Sequence, residues 1–197
     1  LTTYMESTPS ADNSSFGTVT LKNSFTQMTW GNLGVSRGET VFVSLKELSG
    51  DLANIELEYY VTREADGGAG GTDSGETEVY AVTENFTLKW SSQRIYMMAY
   101  ERTMNQLFSG NRELFSGKRI LLGISDGEGM YAKKSENGRY TVFVTNRELW
   151  AYDREEGNSI CIFAFGGWNT DDLRAGRDRH GGEILEVSDG GTVDFLV

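Results

Sequence analysis

Apolar and polar residues alternate with period two along much of this chain. Ile55, Leu57, Tyr59 and Val61 alternate with Glu56, Glu58, Tyr60 and Thr62. Successive side chains of a β-strand point to opposite faces, so this pattern predicts a strand with one buried face. Val41, Val43 and Leu45 behave likewise, as do Phe86, Leu88 and Trp90, and Tyr140, Val142 and Val144. The runs 119–124 and 160–165 are apolar on both faces and predict central strands covered on both sides. Further strands are expected at 16–22, 25–30, 77–83, 182–187 and 192–197. Asn137-Gly138 marks a hairpin turn, because both residues tolerate positive φ. Gly50-Asp51, Gly157-Asn158 and Asp189-Gly190-Gly191 are similar breaks.

One segment departs from the alternation. Met97, Tyr100, Met104, Leu107 and Phe108 fall at helical spacing, and Ser91 or Ser92 could cap the start. This predicts a short helix near 92–108. A rival reading continues the 86–90 strand through Tyr96, Met98 and Tyr100.

The fold class that follows is mainly β: an antiparallel two-sheet β-sandwich, with a jelly roll as one form, and one short helix. Residues 1–15 are rich in Ser, Thr and Asn and hold the only proline, Pro9. They read as an extended N-terminal arm before a single domain over 16–197. No proline-rich or charge-blocked linker divides the strands. The sequence Leu107-Phe-Ser-Gly110 recurs at Leu114-Phe-Ser-Gly117, too few copies for a solenoid.

Composition narrows the function classes. Of 197 residues, 38% are hydrophobic and 24% charged, which is globular rather than disordered. The net charge of −11 argues against nucleic acid bound through a basic patch, and against anionic membrane surfaces. The local basic cluster Arg174, Arg177 and Arg179 is balanced by Asp171, Asp172 and Asp178. Cys161 is the only cysteine, so an intramolecular disulfide is excluded, and it is expected as a small buried apolar residue. With one Cys and one His, no Cys/His zinc set can be built. No basic stretch followed by an apolar stretch opens the sequence as a signal peptide would, and its start at Leu1 suits precursor processing. The sequons Asn13-Ser-Ser15 and Asn85-Phe-Thr87 are short enough to arise by chance.

Several motifs carry candidate chemistry. Gly123-Ile-Ser125-Asp-Gly127 matches the G-x-S-x-G nucleophile elbow, with Asp171 or Asp172 and then His180 in hydrolase order. In that chemistry His takes the serine proton and Asp holds the imidazole. The elbow needs a helix after the serine, but Asn137-Gly138 breaks the chain soon afterwards. A β-turn explains the same residues. Gly127-Glu-Gly129-Met-Tyr-Ala132 matches a dinucleotide fingerprint but has no helix to hold a pyrophosphate. The glycine-rich run 66–76 lacks the Lys-Ser or Lys-Thr of a P-loop. Loops at 66–76, 125–128 and Asp189 offer oxygen ligands, which makes Ca²⁺ the one cofactor candidate, without EF-hand spacing. Trp90 and Trp150 are expected in the core. Trp168, beside Gly166-Gly167, is the better candidate for a glycan contact.

No constellation here specifies a reaction. The leading expectation is a non-enzymatic structural or assembly subunit of coat-protein or extracellular-filament type, in a virion or outside the cell. Its partners would be copies of itself or sister subunits. A carbohydrate-binding module is the first alternative, and a serine hydrolase with Ser125 as nucleophile the second.

Overall fold

The computed structural model describes residues 2–11, 13–64, 77–110, 115–116, 119–121, 123–126, 131–166 and 181–197. Its strands are β1 (Thr18–Thr20), β2 (Ser36–Ser49), β3 (Leu52–Glu64), β4 (Thr77–Trp90), β5 (Ile95–Gln106), β6 (Phe115–Ser116), β7 (Arg119–Ile120), β8 (Tyr131–Lys134), β9 (Tyr140–Thr145), β10 (Glu148–Asp153), β11 (Asn158–Ala164), β12 (Glu183–Val187) and β13 (Val193–Leu196). One short helix, α1, spans Phe25–Met28. The fold is thus mainly β, and every paired strand is antiparallel to its neighbour. The chain divides into two compact units, Leu1–Gln106 with Gly123–Gly127, and Leu107–Leu122 with Glu128–Val197, where a single domain over 16–197 was expected.

The first unit is a five-stranded sheet in the order β1-β5-β4-β3-β2. Strands β2 to β5 follow one another as hairpins. Their alternation holds one apolar face: Tyr59 and Val61 of β3, Tyr80 and Val82 of β4, and Met104 of β5 are all buried on it. The N-terminal segment covers that face. Phe16, Trp30, Leu33 and Val35 pack on this cluster, and Tyr4, Met5, Leu21 and Met28 pack with Val19 and Tyr100. The polar arm is therefore bound to its own unit: Glu6 N–H donates to the Leu21 carbonyl and Thr8 N–H to that of Lys22, at 2.8 and 2.9 Å.

Two expected elements are corrected. The segment 92–108 forms a strand, β5, rather than a helix. The register with β4 slips between Thr87 and Leu88, where Met98 is the extra residue. This bulge returns Met97 and Tyr100 to one face at a spacing of three, and Met104 follows two strand repeats later. A bulge plus an even step thus reproduces helical spacing. Conversely, 25–30 contains α1 instead of a strand. Ser24 caps it, its Oγ accepting the Gln27 N–H at 3.3 Å.

The second unit holds a four-stranded sheet, β11-β10-β9-β8, and the hairpin β12-β13. Its core is Val142, Leu149, Ile184 and Val187, with Phe163 and Phe195 against it. The Asn137-Gly138 hairpin forms as its sequence predicts, with Gly138 at φ +71°. The β9–β10 turn places Asn146 and Arg147 at φ +47° and +66°, the two left-handed residues of a tight hairpin. Most of the apolar run 160–165 lies in β11, an edge strand among the described residues, and its positions are exposed or half-buried rather than covered on both sides. Ile160 and Cys161 are exposed there, and the expected burial of Cys161 is corrected. Among its described residues, the run 119–124 contributes the two-residue strand β7.

Candidate functional site

The apolar face of the five-stranded sheet continues beyond its cover. Val43 lies opposite Leu57, and Leu45 opposite Ile55, which in turn lies opposite Phe86. Further along, Leu48, Ala53, Leu88 and Met97 form one row across four strands, and Trp90 lies opposite Ile95. Strict alternation would turn Leu48 to the other face. The register of β2 slips between Leu45 and Glu47, so the extra residue returns Leu48 to the face of Leu45.

The Val43–Leu57 row runs on into Glu84 and Arg102, whereas the rows of Leu45 and Leu48 and the pair Trp90–Ile95 hold no charged residue. Val43 is 58% exposed, Leu45 60%, Leu48 69%, Trp90 64% and Ile95 49%. The exposure of Trp90 corrects the expectation that it is core. The opposite face carries Lys46, Glu47, Glu56, Glu58 and Lys89, several of them paired within the chain. Lys46 Nζ lies 2.5 Å from the buried Glu56 carboxylate, and Lys89 Nζ 3.5 Å from Asp51. Both lysines of this surface are thereby paired with carboxylates of the same chain.

At the covered end, a cation is buried in the sheet. Arg102 is 1% exposed and lies opposite Glu84 on β4 and Val19 on β1. Its guanidinium donates to the Gln27 and Met28 carbonyls at 2.8 and 3.0 Å, the end of α1. Tyr100 Oη donates to Glu84 at 2.6 Å. Burial, and then the Glu84 carboxylate, push the Tyr59 and Tyr100 phenols well above the ordinary tyrosine range. Burial pulls the guanidinium down, against the raising influence of Tyr100, Tyr59 and Glu84. With its terminal nitrogens spent on backbone carbonyls, Arg102 fastens the cover to the sheet.

A cavity of about 440 Å³ opens beside this cover, lined by Asn13, Phe16, Ser24, Gln27, Asn32 and Arg63 among others. A second, of about 520 Å³, shares Asn32, Leu33 and Arg63 with it.

Of the elbow residues, Ser125 is placed in the first unit, on a segment that docks along the end of β5. Gln106 N–H donates to the Ile124 carbonyl at 2.8 Å, and Asp126 exchanges hydrogen bonds with the Asn105 amide at 2.9 and 3.1 Å. The next described element is the strand β8, not a helix. Asp171, Asp172, Asp178, His180, Trp168, the basic residues 174–179 and the glycine run 66–76 lie outside the described residues. Among the described residues, no group of three or more His, Cys, Asp or Glu side chains converges as a metal site. Asp189 instead accepts the Asn137 N–H at 2.8 Å and joins two turns. Trp150 is half-buried, its edge on Phe108 and its indole N–H donating to Glu148 at 2.9 Å.

The exposed rows were not singled out from the sequence. Their signal was present as the alternation Val41, Val43, Leu45 followed by Leu48 one residue out of step. Compared with protein-family models, curated proteins and solved structures, the chain matches none.

Proposed function

We propose that this chain is a non-enzymatic assembly subunit, of coat-protein or extracellular-filament type, that associates with copies of itself through the uncovered end of its sheet. The single observation that carries this reading is the exposed apolar group Val43, Leu45, Leu48, Trp90 and Ile95 on one face of the sheet, each about half exposed or more. These side chains present roughly 500 Å² of apolar surface, the upper range of what a monomer leaves in one patch. With the half-buried Ile55, Leu57 and Leu88 it approaches the ~800 Å² per partner of a standard interface. On this reading the sandwich expected from the sequence is completed between copies, the apolar face of one sheet closing on another.

The test is sedimentation of the wild-type chain against Leu48→Glu and Trp90→Glu. Both positions are more than half exposed, so neither substitution disturbs the buried core. The reading expects a wild-type oligomer that both variants dissociate. A wild-type chain that stays monomeric at every concentration overturns it.

A second reading is favoured by the cavity of about 440 Å³. Planar amides of Asn13, Gln27 and Asn32 beside the Phe16 ring are the side-chain types that hold a saccharide. Calorimetry against a glycan panel, with Asn32→Ala as control, separates this reading from assembly.

A further inference from the structure

We propose that residues Val41–Leu45 of β2 pair edge-to-edge, antiparallel, with the same segment of a second copy of this chain. The inference rests on the assembly reading above and names the contact that would begin it.

The two edges of the five-stranded sheet differ. At one end stands β1, only three residues long; at the other stands β2, with 14. Short strands are one way proteins blunt an edge, because an unpaired row of N–H and C=O groups recruits another strand. Among the described residues, no strand pairs with the outer side of β2.

Within β2, the stretch that lacks protection is well delimited. Register irregularities lie between Arg37 and Val41 and between Leu45 and Glu47, while Val41 to Leu45 pairs with Tyr59 to Ile55 without a break. Bulges twist an edge away from partners, so 41–45 is the regular part between two such defences. Its sequence, Val-Phe-Val-Ser-Leu, has no charge, proline or glycine and is rich in β-branched and aromatic residues. That is the composition of segments that add strands readily. Lysine is the usual edge guard, but Lys46 is held against Glu56.

A second copy is the occupant these features fit. An uncharged segment can lie against itself without setting like charges opposite each other, despite the net charge of −11. Antiparallel pairing of identical strands places a two-fold axis normal to the sheet, an isologous contact. Such an axis keeps both apolar faces on the same side. Val43 and Leu45 of the two copies, with Leu57 and Ile55 behind them, then join into one broader apolar surface, the surface that the assembly reading closes.

The experiment is hydrogen exchange of the wild-type chain at low and high concentration, run beside sedimentation. Pairing predicts about tenfold or greater slowing of amide exchange within 41–45 as the oligomer forms, with β1 unchanged. Oligomers that form without slowing at 41–45 overturn this inference and leave the assembly reading standing. Slow exchange of the outward-pointing amides of 41–45 in the monomer, those not bonded to β3, means that another part of the same chain covers the edge, and overturns it as well. Absence of any oligomer overturns both.

Val43→Pro and Ser44→Pro add a second measurement. Neighbouring amides of a strand point to opposite sides, so one of these two prolines falls on the outward side and spares the β3 ladder. The variant that keeps its circular dichroism and Tm is expected to associate about tenfold more weakly or worse. Unchanged association in that variant overturns the proposal. Where neither variant folds, the exchange of the wild-type chain decides.

Discussion

The guanidinium carbon of Arg102 lies 3.6 Å from the centre of the Trp30 ring. Trp30 holds φ +67°, a left-handed conformation uncommon for an aromatic residue. The strained turn after α1 thus sets an indole on a cation that also bonds the last carbonyls of α1. Stacking, hydrogen bonds and burial meet at one side chain that ties β5 to its cover.

Removing that side chain is expected to loosen the whole cover. Arg102→Ala removes the guanidinium donor from the Gln27 and Met28 carbonyls and the cation opposite Glu84. Breaking a buried charge cluster from one side costs about 3–5 kcal/mol. Arg102→Lys should recover little of it, since an ammonium lacks the planar fork that reaches two carbonyls while stacking on a ring. Urea titrations of the three proteins measure the order: wild type, then Lys, then Ala. A lysine variant as stable as wild type would refute the fork-and-stack account.

A backbone contact gives the next prediction. A Cβ built on Gly17 would stand 1.8 Å from the Ser125 carbonyl oxygen, so only glycine lets the 123–126 segment lie against β1 and β5. Gly17→Ala should expel that segment at a cost of about 2 kcal/mol or more, as overpacking does. Gly34 is the control. It sits at φ +65° with open space around it, so Gly34→Ala costs only the strained φ, about 1 kcal/mol. Exchange of the Gln106 amide, which donates to Ile124, should accelerate in the first variant alone.

Strands β3 and β4 were legible because each keeps period two against one covered face, and β9 because its apolar positions alternate even though Val142 and Phe143 are both buried. Strand β5 was not, because the bulge at Met98 converts an even spacing into three, and a linear reading cannot tell that from a helical turn. The four residues of α1 are too few to show a period, and the sign that existed was the capping Ser24. Cys161 and Ile160 illustrate a different limit. An apolar run reports strand propensity, but whether it ends in the middle or at the edge of a sheet depends on how many strands pair beyond it. The exposed rows follow the same rule. Val43, Leu45, Leu48 and Trp90 look like core from the pattern, and only the reach of the N-terminal cover leaves them bare.

Two carboxylates of the second unit should give opposite pH signatures. Burial raises Glu148, with the Trp150 indole hydrogen bond pulling the other way. A raised carboxylate contributes stability that is full below the ordinary Glu range, about 4.3, and is lost as pH rises through its folded value. Glu148→Gln keeps an acceptor for Trp150 and should have a higher Tm than wild type at pH 7, the gap closing on acidification. Asp153 is lowered, first by its hydrogen bonds from Arg139, at 2.8 to 3.1 Å. Its contribution is present above the ordinary Asp range, about 3.9, and is lost as pH falls through the folded value. Arg139→Gln should therefore be less stable than wild type at pH 7 and converge with it in acid. Thermal scans from pH 3 to about 8 read both differences.

Ionic strength distinguishes an apolar contact from a charged one. A chain of −11 repels its own copies at long range, and a Debye length of about 10 Å at 0.1 M salt screens that repulsion. The ion pairs nearest the exposed rows, Lys46 with Glu56 and Lys89 with Asp51, are internal, so salt has no attraction between copies to weaken there. Association is thus expected to strengthen as salt rises, whereas an interface held by charge pairs would weaken. Trp90 reports the event directly. At 64% exposure its indole is open to an aqueous quencher, and burial between copies should blue-shift emission and reduce acrylamide quenching as salt or protein concentration increases. Trp90→Phe keeps an apolar ring in the row and should retain association while losing that optical change. If the shift persists in Trp90→Phe, another tryptophan reports it, and the contact lies away from this end of the sheet.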